Sequence, residues 1–415
     1  MQSCLSPVRV ALLGSALALV SFSAAAAATA HRPDAEKRLL AAQGKHHAAV
    51  SAGAALTGSR AHATYTILHA FAGSPNDGAG SGAEVTLDSA GNIYGTTDYG
   101  GTYGFGTVFQ LSNGSESLLH SFGSGSDGTT PDGAISILAN GDMIGTTIGG
   151  GSTGNGVIWK LAAGGNYSVL HAFTADEGSF LRGRLVQDKK GNFYGTALFG
   201  GSTGDGTVFE YTAGGKLKVL HTFNGTDGEF PEHGLVRDKA GNLYGVTAFG
   251  GSSDNGTIYK IAKDGTFTTL YNFTGGADGG FLYGALAIDR DGNLYGNADD
   301  GGSTGYGTVF KLAPDGTYTV LYNFLGGTDG RNPEGDMLLH KGGLYSTTTG
   351  GGDPGCGCGV IYEITAKGKQ KVLEAFTADS GNEYSAGLTL SDGVFYGTTQ
   401  NGANDDNGVV FSLTK

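Results

Sequence analysis

Short apolar segments separated by glycine-rich turns recur along the chain from Thr64 onward. In each unit of about fifty residues, two of the turns are tight and end in glycine, and one connection is longer. Tight glycine turns between short apolar segments are typical of antiparallel strands joined as a meander. In the unit around Tyr244 we predict four strands, at residues 234–238, 242–247, 256–261 and 266–273.

Three sequence markers, Tyr-Gly-Thr-Thr, Gly-Thr-Val-Phe and Leu-His-x-Phe, each occur seven times in matching order. No helical period interrupts the array, which excludes folds built from alternating strands and helices. Self-similarity at this period is typical of propellers and solenoids. The first marker and its variants begin, 50 or 51 residues apart, at Tyr94, Ile144, Tyr194, Tyr244, Tyr295, Tyr345 and Tyr396.

The fourth strand of each unit is apolar or aromatic on both faces, so each sheet must bury both faces against neighbours. The array begins with a lone fourth strand at 64–71 and ends with three strands at 388–413. We therefore predict an all-β domain over residues 64–415, a seven-bladed β-propeller with four antiparallel strands per blade. The N-terminal strand is expected to complete the last blade.

Composition agrees with many short strands and tight turns. The 415 residues include 78 glycines, and 40 residues are Tyr or Phe (19 and 21), too many aromatics for a disordered glycine-rich chain. The net charge of −13 argues against nucleic acid as a partner and is compatible with cations or neutral sugars. We expect a monomer.

The N-terminus has the features of a signal peptide. Arg9 precedes an uncharged apolar run at 10–28, and Ala28-Thr29-Ala30 forms a small-residue cleavage site. We predict cleavage after Ala30 and a flexible spacer at 31–63. No second apolar run follows, so we expect no membrane span. The mature protein is expected in the periplasm or outside the cell, where Cys356 and Cys358 form a local disulfide or remain inert thiols. A metal-binding or redox-active pair is the alternative.

The unit Gly-Asn-Leu-Tyr-Gly-(Thr/Val)-Thr-x-x-Gly-Gly, followed by Gly-Thr-Val-Phe and Val-Leu-(His/Tyr)-x-Phe, resembles the GloVer (Gloeobacter–Verrucomicrobia) tandem repeat. The resemblance covers residues 64–415. The first two strands of each unit are also similar to NHL-type propeller repeats. The resemblance implies export and a repeat scaffold, and it implies no established activity.

In a propeller with this strand order, the long loops gather on one face around the central channel, which makes that face the expected binding face. The positions just before each innermost strand vary in charge and type while the rest of the repeat is uniform. They form the candidate ligand site, and they hold Arg182, Arg184, Glu232, His233, Tyr283, Glu334 and Tyr384.

Two readings of this set remain open. A His or Tyr base with Arg182 suits elimination of an acidic sugar, and paired Glu232 and Glu334 suit glycoside hydrolysis. In the other interpretation, these are solvated loop positions that vary because no function constrains them. The catalytic candidates of the first reading are Arg182, Glu232, His233, Tyr283, Glu334 and Tyr384.

Aromatic residues in the loops of the same face suit sugar rings or peptides, and packing between blades is the alternative. These residues include Tyr99, Phe199 and Phe249, and the same class of loop, between the second and third strands of a unit, also carries Tyr103, Phe105 and Tyr306.

Each loop that enters a blade carries an acidic residue just before a glycine. Either these carboxylates bind Ca²⁺, the only cofactor that the pattern suggests, or they cap their own turns. The weak metal candidates are Asp127, Asp227, Asp278 and Asp329. The histidines of Leu-His-x-Phe fall on separate blades and are expected to pack.

The sequence therefore favours an exported, non-enzymatic binding or scaffold module for a carbohydrate or a cell-surface protein. The alternative is a polysaccharide lyase or glycoside hydrolase with its site at the channel mouth.

Overall fold

A computed structural model describes residues 63–123, 125–365, 367–381, 387–403 and 405–415. The predicted signal peptide and nearly all of the predicted spacer lie outside these residues. The described part contains seven four-stranded antiparallel sheets, one two-stranded ribbon and no helix. It accordingly contains no helix long and apolar enough to cross a membrane.

Each sheet is one blade, and its strands run from the innermost to the outermost in chain order. The first three blades comprise Thr86–Leu87, Ile93–Thr97, Thr107–Ser112 and Ser115–Ser121; Ser136–Ile137, Met143–Thr146, Val157–Leu161 and Tyr167–Ala172; and Val186–Gln187, Phe193–Ala197, Thr207–Tyr211 and Leu217–Thr222.

The next three blades comprise Val236–Arg237, Leu243–Thr247, Thr257–Ile261 and Phe267–Asn272; Ala287–Ile288, Leu294–Ala298, Thr308–Leu312 and Tyr318–Asn323; and Leu338–His340, Gly343–Thr347, Val360–Ile364 and Gln370–Ala375. The ribbon pairs Gly78–Ala79 with Tyr99–Gly100 above the first blade. The seven-bladed architecture predicted from the repeats is confirmed.

The seventh blade draws its strands from both ends of the described chain. Thr389–Ser391, Val394–Thr398 and Val409–Thr414 form its inner three strands, and Thr64–Ala70 pairs antiparallel with Val409–Thr414 as the outermost strand. Tyr65 of this closing strand stacks on Phe411 with ring centroids 5.1 Å apart. The N-terminal strand thus closes the ring, as expected.

The repeated glycine of Tyr-Gly-Thr-Thr has a packing reason. A Cβ atom on Gly195 would lie 2.7 Å from the ring of Phe209 on the neighbouring strand and 2.7 Å from Leu185. Phe209 in turn meets Phe173 of the preceding blade edge to face, with centroids 4.9 Å apart. The glycine therefore lets a large ring lie across the second strand and reach the preceding blade, so the core consists of apolar clusters between blades.

The tight turn between the first two strands of a blade is built around an aspartate. In the third blade, Asp188 accepts hydrogen bonds from the backbone N–H groups of Lys190 and Asn192. Its second carboxylate oxygen accepts bonds from the Asn192 amide and the Tyr194 hydroxyl. The Tyr of the first marker thus fixes the turn at the far end of the blade from the long loops.

The two cysteines of the long sixth-blade loop, Cys356 and Cys358, form a disulfide. This is one of the two states expected from the sequence.

We predict that Tyr65→Ala lowers the free energy of unfolding by about 2 kcal/mol, because it removes a largely packed ring from the closing strand. Ile67→Ala on the same strand is the control, since Ile67 is 41% exposed, and we expect it to cost less than about 0.5 kcal/mol. Urea unfolding of both variants measures the difference. Equal, small effects would show that packing of this strand does not stabilise the ring.

Candidate functional site

The residues that precede the innermost strands converge on the central channel. Five of them stand four positions before the first residue of their strand, and we call these five the mouth layer: Asp132, Arg182, Glu232, Tyr283 and Glu334. The innermost strand of each blade runs along the channel away from the loop face. Residues closer to the start of this strand therefore lie deeper in the channel. An inner layer is formed by Glu84, Arg184, His233 and Asp336.

In the mouth layer, Arg182 lies between the carboxylates of the two adjacent blades. Its Nε atom is 3.0 Å from Asp132 Oδ2, and its Nη1 atom donates to Glu232 Oε1. Glu232 is only 2% exposed. The guanidinium thus links three consecutive blades and compensates two largely buried charges.

The other side of the mouth layer is acidic and buried. Glu334 is 7% exposed and Asp299, at the end of a second strand, is fully buried. Burial, together with the neighbouring Glu334 and Asp300, raises the pKa of Asp299 well above its usual range. Tyr283 is 3% exposed. Burial and the nearby Asp299 and Glu232 raise the pKa of this phenol. Burial and the neighbouring acids thus disfavour the charged forms of Asp299 and Tyr283.

In the inner layer, ion pairs cross the channel between blades that are not neighbours. Arg184 of the third blade lies 3.0 Å from Glu84 of the first. His233 Nδ1 of the fourth blade lies 3.0 Å from Asp336 Oδ1 of the sixth, and Asp336 also accepts a bond from the Ala285 N–H. The side chains of these pairs line the channel at this depth.

Both inner-layer pairs contain a group with a shifted pKa. Burial opposes the charged form of His233, but the Asp336 carboxylate and its hydrogen bond outweigh it and raise the His233 pKa to about 9. Burial raises the pKa of Glu84 to about 7, against the opposing effect of Arg184. His233 is consequently a cation at neutral pH and is paired with a carboxylate.

The predicted aromatic residues divide into two groups. Phe199 and Phe249 are 3% and 5% exposed. Both pack edge to face on Phe230, in a cluster that also holds Tyr283. Their rings lie between blades and are not part of the exposed surface. They therefore match the alternative expectation, packing between blades.

The first-blade loop does expose its rings. Tyr99, Tyr103 and Phe105 are 38%, 64% and 37% exposed, and we call these three residues the aromatic loop. Burial of the hydroxyl end, with Asp98 and Asp132 close by, raises the pKa of Tyr99. The aromatic loop is therefore adjacent to the mouth layer.

The acidic turn residues lie in the loops that follow the outer strands and contact those strands, not the channel. Asp127 and Asp227 pair with His120 and His221 at 3.5 and 3.0 Å. Asp278 and Asp329 accept hydrogen bonds from the hydroxyls of Tyr271 and Tyr322 at 3.1 and 2.9 Å. All four also accept a backbone N–H at the start of their own turn, from Gly123, Asn224, Thr274 and Leu325. In these positions the carboxylates fix turns and orient the ring of the Leu-His-x-Phe marker.

Of the predicted site residues, the structure brings Arg182, Arg184, Glu232, His233, Tyr283 and Glu334 together at the channel, and Tyr384 lies outside the described residues. Asp98 and Asp299 were not predicted. They occupy a position that is apolar in three other units, which hold Ile148, Leu198 and Ala248. That departure from the repeat was the available signal.

We predict that the free energy of unfolding falls as the pH rises from about 6.5 to 9. The His233 pKa is about 9 in the folded protein against 6.5 for an ordinary histidine. Its contribution is thus complete below pH 6.5 and lost as the pH passes 9, on the order of 3 kcal/mol.

Urea unfolding at pH 6, 7.5 and 9 measures this slope, with His233→Asn as the comparison. The variant should show a shallower decline over the upper part of this interval, from pH 7.5 to 9. The Glu84 contribution of the wild-type protein is lost mainly between pH 4.5 and 7, and removal of His233 raises the pKa of Glu84 further. Parallel curves for the two proteins would contradict the assignment.

Known structures share the fold at low sequence identity. The extracellular domain of a putative hybrid two-component system, BT4673 from B. thetaiotaomicron, is 12% identical over 84% of this chain, with a TM-score of 0.56. Puromycin hydrolase is 14% identical over 78%, with a TM-score of 0.52, and PorZ, a surface component of the type-IX secretion system of Porphyromonas gingivalis, is 15% identical over 82%, with a TM-score of 0.50.

This chain spans 39% of the length of the BT4673 domain, 50% of puromycin hydrolase and 47% of PorZ. No curated protein matches the chain in sequence. The Gloeobacter/Verrucomicrobia repeat, by contrast, matches residues 40–247 and 232–415, which together cover the whole propeller. The chain therefore belongs to the Gloeobacter/Verrucomicrobia repeat family.

Proposed function

We propose that this protein is an exported binding module that holds a carbohydrate of a cell surface or matrix on the loop face of its propeller. The observation that carries the proposal is the aromatic loop, which presents three exposed rings beside the mouth layer. The predicted signal peptide supports export, and so do structural neighbours described as extracellular domains and as a surface component.

The aromatic loop is held in place by backbone pairing. Tyr99–Gly100 forms a ribbon with Gly78–Ala79, and Gly100 also pairs with Phe105. The rings are thus exposed without belonging to a long unpaired segment. A rigid aromatic surface loses little conformational entropy when it binds, and its faces suit the C–H faces of sugar rings.

The charges beside the aromatic loop indicate which sugars fit. Asp132 lies near Tyr99 with its side chain 12% exposed, and a carboxylate oxygen accepts hydrogen bonds from sugar hydroxyls. Arg182, a cation whose charge acts on Tyr99, is already paired with Asp132 and Glu232. With a net charge of −13, the protein suits a neutral sugar better than an acidic one.

Burial at the mouth layer favours binding without turnover over the enzyme hypothesis. Glu232 and Glu334 are 2% and 7% exposed, and Arg182 is shared between two carboxylates. A glycoside hydrolase needs its two carboxyl groups on either side of an accessible sugar. The propeller fold itself is compatible with either function, since one fold hosts many activities.

We predict that Tyr103→Ala weakens glycan binding at least tenfold, because Tyr103 is the most exposed ring of the aromatic loop. Tyr306→Ala is the matched control: Tyr306 is a 40% exposed aromatic at the position in the fifth unit that corresponds to Phe105, and we expect no change there. A glycan array screened with the wild-type protein identifies the ligand, and calorimetry on both variants measures affinity.

Equal binding by wild-type protein and Tyr103→Ala would remove the aromatic loop from the site. Release of new sugar ends or unsaturated products from the bound glycan, abolished in Glu232→Gln, would instead establish the enzyme.

A further inference from the structure

The outer strands of adjacent blades meet in a repeated contact. The residue at the start of one outer strand lies over the His or Tyr of the preceding outer strand. Tyr167 stacks on His120 with centroids 4.0 Å apart, and Phe267 stacks on His221 at 3.7 Å. The equivalent residue is Leu217 in the third blade and Gln370 in the sixth.

The junction that closes the ring departs from this pattern. Glu116 of the first blade takes the place of the aromatic residue, in the same register on its strand. The facing residue on the closing strand is His69, whose Nε2 lies 3.1 Å from Asp77 Oδ2 and 3.3 Å from Asp77 Oδ1. A second carboxylate is thus brought to a histidine–aspartate pair at this junction.

The three side chains converge on one point. One donor atom from each of His69, Asp77 and Glu116 lies within 4.8 Å of the other two. Glu116 Oε1 is shielded from solvent and has no hydrogen-bond partner in the described part of the chain. A carboxylate oxygen that is buried without a donor is costly, which points to an absent positive partner.

We infer that His69, Asp77 and Glu116 bind a divalent transition-metal ion of the Zn²⁺ type. In a tetrahedral zinc site with bonds of about 2.0–2.1 Å, the ligand atoms lie roughly 3.3 Å apart. The His69–Asp77 separation already matches this edge, and Glu116 Oε1 has no competing hydrogen bond. One imidazole and two carboxylates suit Zn²⁺, whereas Ca²⁺ takes six to eight oxygen ligands.

Charge and orientation agree with this assignment. Two carboxylates face one imidazole, so a divalent ion makes the set electrically neutral. The Asp77 carboxylate is already positioned by the backbone N–H groups of Ala72 and Gly78, as outer-shell bonds position metal ligands. His69 is 21% exposed and Asp77 12% exposed at the side chain, which leaves an entry path and a fourth position for water.

The ion would connect three segments of the ring closure: the closing strand through His69, the loop after it through Asp77, and the first blade through Glu116. It would therefore fix the closing strand, whose ladder partner Val409–Thr414 is distant in sequence, against the first blade, by binding the folded state only.

The test is isothermal titration of the full chain with ZnCl₂, with Glu116→Gln as the variant. The sixth blade carries Gln370 at the equivalent position, so this variant is compatible with the fold, and circular dichroism checks it. His221→Asn is the control, because the His221–Asp227 pair has the same geometry with Phe267 in place of the third ligand.

We expect the wild-type protein to bind one equivalent of Zn²⁺ that His221→Asn retains and that Glu116→Gln binds at least tenfold more weakly. Zn²⁺ should also raise the Tm of the first two proteins more than that of Glu116→Gln. Because Glu116→Gln keeps every histidine, binding elsewhere cannot produce this difference. Absence of stoichiometric binding, or equal affinity in wild-type protein and Glu116→Gln, would overturn the assignment.

Discussion

Pairing of the N-terminal strand with the C-terminal strand is the constraint on which the rest of the molecule depends. Thr64–Ala70 and Val409–Thr414 are more than 330 residues apart in sequence and form one ladder. A four-stranded blade cannot bury both of its faces alone, so each blade needs two neighbours. Closure supplies the missing neighbour at both ends of the array, and it fixes the number of blades around the channel.

The channel follows from that closure. Once seven blades surround one axis, the positions ahead of each innermost strand must meet, and the uniform repeat would leave small residues there. This chain places charged and phenolic side chains at several of these positions, and they largely satisfy one another through Arg182, Arg184 and His233. The exposed aromatic side chains lie instead at the rim of the channel, in the aromatic loop. This arrangement, a channel whose side chains pair with one another and a rim that carries the exposed rings, underlies the proposal that the loop face binds a ligand.

The architecture was predictable because it depends on features that a sequence displays directly: repeated markers, glycine turns and complementary ends. The convergence of Arg182, Glu232 and His233 was predictable for the same reason, since topology alone places them at the mouth. Which of them pair was not predictable, because the Arg184–Glu84 and His233–Asp336 contacts depend on the width of the channel. The sequence left open whether Phe199 and Phe249 are exposed on the loop face or packed between blades, because their burial depends on the distance between neighbouring blades. The turn carboxylates likewise suggested Ca²⁺ or turn caps, and their partners on the outer strands became visible only in three dimensions.

Native-state hydrogen exchange, followed by mass spectrometry on peptides of residues 64–70, tests ring closure most directly. A strand hydrogen-bonded along one edge of a closed ring is predicted to exchange as slowly as the equivalent outer strand Leu217–Thr222 and to open together with the seventh blade. Exchange of these amides at the rate of an unstructured peptide, while the other outer strands stay protected, would contradict a ring closed by the N-terminal strand.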